Sequence, residues 1–262
     1  MRKGLLYISL ILITIILNFA PSSYAKEKSP GLEAYEKAMS RWQKSITDTT
    51  SRVTVTVTYY SMELIRAIVA YESEKNLWTK DEAENFKYRL LENIRFADCL
   101  PFKVEITNNG PAMHMGPFDR KIKLKAGNRE LTPIDYDKIF NFKLLGKVEG
   151  MVFFPRRDEK TDKDILTPDV KILTLTISKD ISPLTAEKGF DFVFRWDNPY
   201  EKISLEEYST GEAKIELERL TKRIELLMEK KKDLLKQIEE IEEELKKVKS
   251  RIAELEKIIY KN

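Results

Sequence analysis

EAKIELERLTKRIELLMEKKKDLLKQIEEIEEELKKVKSRIAELEKIIYKN, residues 212–262, contains neither proline nor glycine and repeats its apolar residues alternately three and four apart. The stripe runs through Leu217, Leu220, Ile224, Leu227, Leu234, Ile238, Ile241, Leu245, Val248, Ile252, Leu255 and Ile259, with Lys231 as its one interruption. A heptad sustained for about six repeats specifies a coiled coil. With Leu217 at a and Leu220 at d, the a layer is mostly β-branched and the d layer mostly leucine, the preference of a parallel dimer. Lys231 falls at a, where its ammonium leaves a two-stranded seam more easily than a three-stranded one. Glu244 with Lys249 and Arg251 with Glu256 are g-to-e pairs of opposite sign that support in-register parallel pairing. Met228 and Leu235 occupy e sites and widen the proximal stripe, leaving room there for a third helix or for packing on the rest of the chain. A helix of this length reaches on the order of 70 Å, too long to fold back into a globular core.

The partner classes are narrowed by charge. Acidic and basic residues nearly balance along the helix, as they do over the whole chain, whose net charge is +3. Nucleic-acid binding needs a persistent excess of Lys and Arg, so no nucleic-acid partner is expected. Charged residues form 34% of the chain while Gln occurs only at Gln43 and Gln237, a bias typical of thermophile proteins.

At the N-terminus Arg2 and Lys3 precede an apolar stretch from Leu5 to Leu17, followed by Pro21 and the small-x-small site Ser23-Tyr24-Ala25. This is the pattern of a secretory signal cleaved after Ala25. The alternative is an uncleaved membrane anchor, for which an apolar span of about 16 residues is short. Both readings place the body outside the cytoplasm, in the periplasm or at the cell surface. Cys99 is the single cysteine, which excludes an intramolecular disulfide and leaves stability to the core.

The expected organisation is a signal peptide at 1–25, an N-terminal helix at 26–50, a β-sandwich head at 51–200, a linker at 201–211 and the coiled coil at 212–262. Leu32, Tyr35, Met39, Trp42 and Ile46 carry the N-terminal helical stripe. Val53, Val55 and Val57 alternate with Thr54, Thr56 and Thr58 as a half-buried strand. A helical hairpin at about 61–97 follows, its second helix opened by a capping box at Thr79 and Glu82. Strand patterns then dominate: Phe102 to Ile106 ending at the turn Asn108-Asn109-Gly110, Ile122 with Leu124, Val148 to Phe154, Leu173 to Ile177, and Phe190 to Trp196. Short strands punctuated by turn residues, without a βαβ rhythm, predict a mainly β fold with helical additions, an antiparallel sandwich.

FKVEITNN at 102–109, GMVFFP at 150–155 and the strands at 173–177 and 190–196 resemble the exported immunoglobulin-like domains of unknown function found in bacterial and archaeal surface proteins. The resemblance implies an immunoglobulin-like sandwich with a binding or scaffolding role, and it supplies no catalytic residues. It also implies a departure, since a plain sandwich has no helical hairpin before Phe102.

Catalytic patterns are missing from the sequence. There is one histidine, His114, and no GxSxG elbow, HExxH, CxxC, P-loop or GxGxxG. Met113, His114 and Met115, read as a loop, offer the thioether and imidazole donors that suit Cu(I); two methionines capping the sandwich is the competing reading. Asp158, Asp162, Asp164 and Asp169 lack EF-hand spacing. No cofactor is expected. The functional expectation is an exported cell-envelope structural or interaction protein, a homodimer through its coiled coil, presenting a binding head to an envelope partner. The alternative is an extracytoplasmic ligand-binding or enzymatic head, for sugar, peptide or metal, with the coiled coil serving only oligomerisation.

Overall fold

A computed structural model describes residues 28–159, 161, 163–198 and 209–260. The expected signal peptide and most of the expected linker lie outside them. Among the described residues no helix is long and apolar enough to cross a membrane.

The first helix, α1 (Pro30–Trp42), opens with Pro30 behind Ser29, whose hydroxyl accepts the Leu32 amide at 3.3 Å. It stops eight residues short of the expected boundary. Gln43–Asp48 instead forms strand β1, paired antiparallel with β2 (Val53–Tyr59) from Gln43 opposite Thr58 to Asp48 opposite Val53. Ile46 satisfies both a helical and a strand period, and Ser45, Ile46 and Thr47 are weak helix formers. The open edge of β2 decides between the two. Ser45 and Thr47 then meet Thr56 and Thr54 hydroxyl to hydroxyl, at 2.9 and 3.0 Å.

The helical hairpin consists of α2 (Met62–Asn76) and α3 (Lys80–Asn93), joined through Leu77 in the left-handed region at φ 55°. The Thr79 capping box is formed. Thr79 donates its amide to Glu82 Oε2 at 2.8 Å, and the Glu82 amide returns to Thr79 Oγ1 at 3.3 Å.

Seven further strands follow: β3 (Cys99–His114), β4 (Ile122–Ala126), β5 (Arg129–Leu131), β6 (Asp135–Tyr136), β7 (Lys143–Pro155), β8 (Ile172–Ile177) and β9 (Phe192–Asp197), with the short helix α4 (Pro183–Lys188) before β9. They make two antiparallel sheets, ordered β1-β2-β3-β7-β6 and β5-β4-β8-β9. Alternate residues of each sheet point into one core: Val53, Val55, Val57, Val104 and Phe154 from the first, Leu124, Leu173, Leu175 and Phe194 from the second, all essentially inaccessible. Phe102 joins the layers, with its ring 4.8 Å from Tyr59, 5.7 Å from Phe154 and 5.7 Å from Trp196. The buried indole of Trp196 donates to the Trp42 carbonyl at 3.0 Å, tying the end of α1 to the second sheet.

Three strand ends differ from expectation, and the first is the start of β7, which lies at Lys143, five residues before the expected Val148. β3 continues past Asn108 to His114, with a register shift between Asn108 and Met113. The Asn108 side chain makes that possible: its Nδ2 donates to the Pro111 and Leu144 carbonyls at 2.7 and 3.2 Å, and its Oδ1 accepts the Gly110 amide at 3.0 Å. Asn-Asn-Gly therefore builds a bulge where a turn is expected. The last strand starts at Phe192, and Phe190 stays outside it, half exposed.

The C-terminal segment is one helix, α5 (Thr210–Ile259), of 50 residues. The molecule is thus a mixed α+β head with a long helix rooted on its helical hairpin.

Candidate functional site

Ser209 caps α5, and the helix enters the head within its first turn. Gly211 donates its amide to Glu84 Oε2 of α3 at 3.0 Å. A Cβ at Gly211 would lie 3.1 Å from the Glu84 carbonyl and 3.4 Å from the Tyr88 amide nitrogen, so glycine sets how closely α5 approaches α3. Glu212 is buried between two cations, Arg66 of α2 at 3.3 Å and Lys87 of α3 at 3.6 Å. Lys87 also reaches Glu84 at 3.3 Å and donates to the Ser209 hydroxyl at 3.1 Å. Burial raises the Glu84 carboxyl, but the Gly211 amide, the Ser209 hydroxyl and Lys87 outweigh it and hold the group below its usual range.

The docking continues for two more turns. Ile215 packs on the small cluster of Ile65, Leu91 and Ile94. Tyr88 donates to Glu218 at 3.0 Å, and Arg219 pairs with Glu216 at 2.8 Å, itself 3.8 Å from Arg157 beyond β7. From Ile224 onward every described residue of α5 is exposed.

The docked residues and the apolar stripe occupy opposite sides of one helix. Gly211, Glu212, Ile215, Glu218 and Arg219 fall at heptad positions b, c, f, b and c. At about 100° per residue these lie roughly 180° from a and d. The head consequently leaves the expected seam uncovered. Leu217, Leu220, Ile224, Leu227, Leu234, Ile238, Ile241, Leu245, Val248, Ile252, Leu255 and Ile259 are each 43–67% exposed in the single chain. Lys231 is exposed among them. The N-terminal helix does not cover this stripe either: Tyr35 stacks on Tyr71 of α2 at 5.1 Å and Trp42 meets Tyr59 edge-on at 5.7 Å.

The copper candidates are divided by strand geometry. Met113 and Met115 are buried in the core at 2% and 0% exposure, while His114 is exposed. Neighbouring strand residues point to opposite faces, so Met113 and His114 do not converge. Among the described residues no three His, Cys, Asp or Glu side chains gather as metal ligands. Asp158 accepts the Thr161 amide and hydroxyl, and Asp164 faces Arg157 at 3.6 Å; Asp162 lies outside the described residues. Cys99 is buried, and burial pushes its thiol up, away from thiolate chemistry.

The stripe is legible in the sequence, whereas the root is not. Arg66, Lys87 and Glu212 are unremarkable surface-type residues whose partners lie far away along the chain. The one local signal is a glycine in the first turn of a strong helix former's run, since Gly211 has no reason to be there without a close neighbour.

No protein-family model and no curated protein matches this chain. Among solved structures it is similar to a novel protein of unknown function from Burkholderia pseudomallei K96243, at a TM-score of 0.36 and 10% identity, covering 64% of this chain and 85% of that one. At that level neither a family nor an activity follows.

Proposed function

We propose that the chain is an exported structural or interaction protein of the cell envelope, paired through α5 as a parallel homodimer and presenting an immunoglobulin-like head to a partner. The observation that carries this reading is the uncovered stripe on the side of α5 opposite its docked root. Twelve apolar residues about half exposed represent, at about 1 kcal/mol for completing each burial, roughly 10 kcal/mol per chain. That is comparable with the cost of association, and an isolated helix would leave it unrealised. Export rests on the Arg2-Lys3 and Leu5–Leu17 pattern, and the immunoglobulin-like assignment on the two-sheet head together with the strand motifs at 102–109 and 150–155.

Light scattering of the chain at tens of micromolar tests the pairing. A dimer is expected, converted to monomer by Leu234→Glu with Ile241→Glu. Orientation is tested by oxidising Leu255→Cys, which cross-links two parallel chains at a shared d layer and leaves antiparallel chains uncoupled. A monomeric parent with an intact helical circular-dichroism signal overturns the proposal.

A further inference from the structure

The end of the head opposite the stalk root carries two exposed apolar side chains, Phe142 and Leu145, with the basic Arg52 and Lys143 exposed nearby. β7 runs from Lys143 to Pro155, next to the Arg157 that faces α5. Its 13 residues span about 40 Å, so the Lys143 end is the distal tip. Here Asn108 pairs with Gly146 and pairing resumes at Met113 with Leu144, leaving Asn109 to Ala112 opposite Leu145 alone. The buried Asn108 amide holds this bulge to the Pro111 and Leu144 carbonyls, and Gly146 takes the left-handed conformation at φ +82° that lets β7 turn beneath it.

The tip presents Leu145 at 71% and Phe142 at 65% exposure, although Leu144 and Phe140 beside them are buried. Strand alternation makes this obligatory on β7, because turning Leu144 into the core turns Leu145 out. Between the two exposed side chains stands Lys143, opposite the exposed His114. Arg52, exposed on the adjoining β1–β2 turn, accepts the Asn109 amide at its carbonyl at 3.0 Å. No Asp or Glu occurs in 49–52, 109–117 or 141–146. Two acids lie just outside and are engaged: Asp48 is buried with its oxygens taken by the Thr50 amide and Ser51 hydroxyl, and Asp119 accepts the Tyr136 hydroxyl at 3.2 Å. Farther along these strands, Glu105 and Glu149 are paired with Lys103 and Lys147.

Projecting apolar side chains flanked by cations match the boundary between lipid headgroups and acyl chains. We infer that this tip docks on an anionic lipid surface, with Phe142 and Leu145 entering the bilayer interface and Arg52 and Lys143 meeting lipid phosphates. Charge complementarity decides the occupant: a second copy would set cation against cation. The inference goes beyond the pairing proposed above and does not depend on it, since the tip and α5 lie at opposite ends of β7.

The test uses residues 26–262, which retain every described residue, sedimented with vesicles of phosphatidylcholine alone or with about one third phosphatidylglycerol. Binding to the anionic vesicles is expected at least tenfold tighter than to neutral ones. Both Phe142→Ser/Leu145→Ser and Arg52→Glu/Lys143→Glu should weaken it at least tenfold without changing the melting temperature, as these side chains are exposed. Phe142→Trp should show a blue-shifted emission on the anionic vesicles. Absence of binding to either vesicle, or binding that neither double variant weakens, overturns the inference. Light scattering in parallel reads pairing separately. Association beyond a dimer that Phe142→Ser/Leu145→Ser abolishes, without vesicle binding, assigns the tip to a second copy and also overturns it.

Discussion

Glu212, in the first turn of the 50-residue α5, lies 3.3 Å from Arg66 of α2, 146 positions earlier in the chain. This pair, with Lys87 on the other side of the carboxylate, converts what would be a tethered helix into one rooted on the head. The direction in which α5 leaves the head is thereby set by buried charge and by the close approach at Gly211.

Removing the carboxylate should therefore cost more than an ordinary surface change. Glu212→Ala leaves Lys87, whose side chain is only 10% exposed, without its deepest partner. Arg66 is more exposed and recovers part of its hydration. A loss of about 2–3 kcal/mol is expected, somewhat below the full penalty for breaking a buried pair, measured by urea unfolding. Glu212→Gln should lose nearly as much, because the charge rather than the volume matters. A loss under about 0.5 kcal/mol in both variants would show that the root does not depend on this pair.

Acid should loosen the same root through Glu84. Its folded carboxyl is held below the ordinary 4.5, so its contribution is fully present above that value and declines as pH falls through the lower folded value. The melting temperature of the parent should fall more steeply below pH 4.5 than that of Glu84→Gln, whose amide does not titrate. Parallel pH profiles for the two proteins would contradict this.

Truncation separates a rooted stalk from a merely linked one. A chain ending at Tyr208 loses Ile215 from the Ile65–Leu91–Ile94 cluster and Glu212 from between its cations. A chain ending at Ile224 keeps both. The longer head should be a soluble monomer that unfolds cooperatively, and the shorter one should melt several degrees lower and tend to aggregate. Equal melting temperatures would mean that the docked turns contribute nothing to the head.

Lys231→Ile tests the register of the stripe. If Lys231 faces the partner at an a position, replacing it removes a buried-charge cost and raises the melting temperature of the helical signal, while loosening the choice between two and three strands. Sedimentation equilibrium reads the second effect. An unchanged or lowered melting temperature counts against the assignment of Leu217 to a.

Local periodicity explains which elements are legible in the sequence. The run after Glu212 declares a helix because its spacing repeats every few residues, and the structure has that helix at Thr210–Ile259. Val53-Thr54-Val55-Thr56-Val57 declares a strand for the same reason, and Thr79 with Glu82 declares a helix start within four residues. Ile46 and Asn108 mislead for a shared reason: each is compatible with two local structures. For Ile46 the open edge of β2 chooses the strand, and for Asn108 the Leu144 carbonyl across β7 turns an apparent turn into a bulge.

From its residues alone, then, this protein's long amphipathic helix, its helical hairpin and several alternating strands are legible, whereas β1, β5, β6 and α4 are not. Side-chain period marks these elements, and short-range hydrogen bonds complete the helices. Only the tertiary structure decided which faces remain free. The docked b, c and f side of α5 and the buried Glu212 depend on α2 and α3, more than a hundred positions earlier in the chain, and the outward Phe142 and Leu145 depend on β7 pairing with β3. Burial is a property of the assembled neighbours: local spacing marks a face as apolar without deciding which surface covers it.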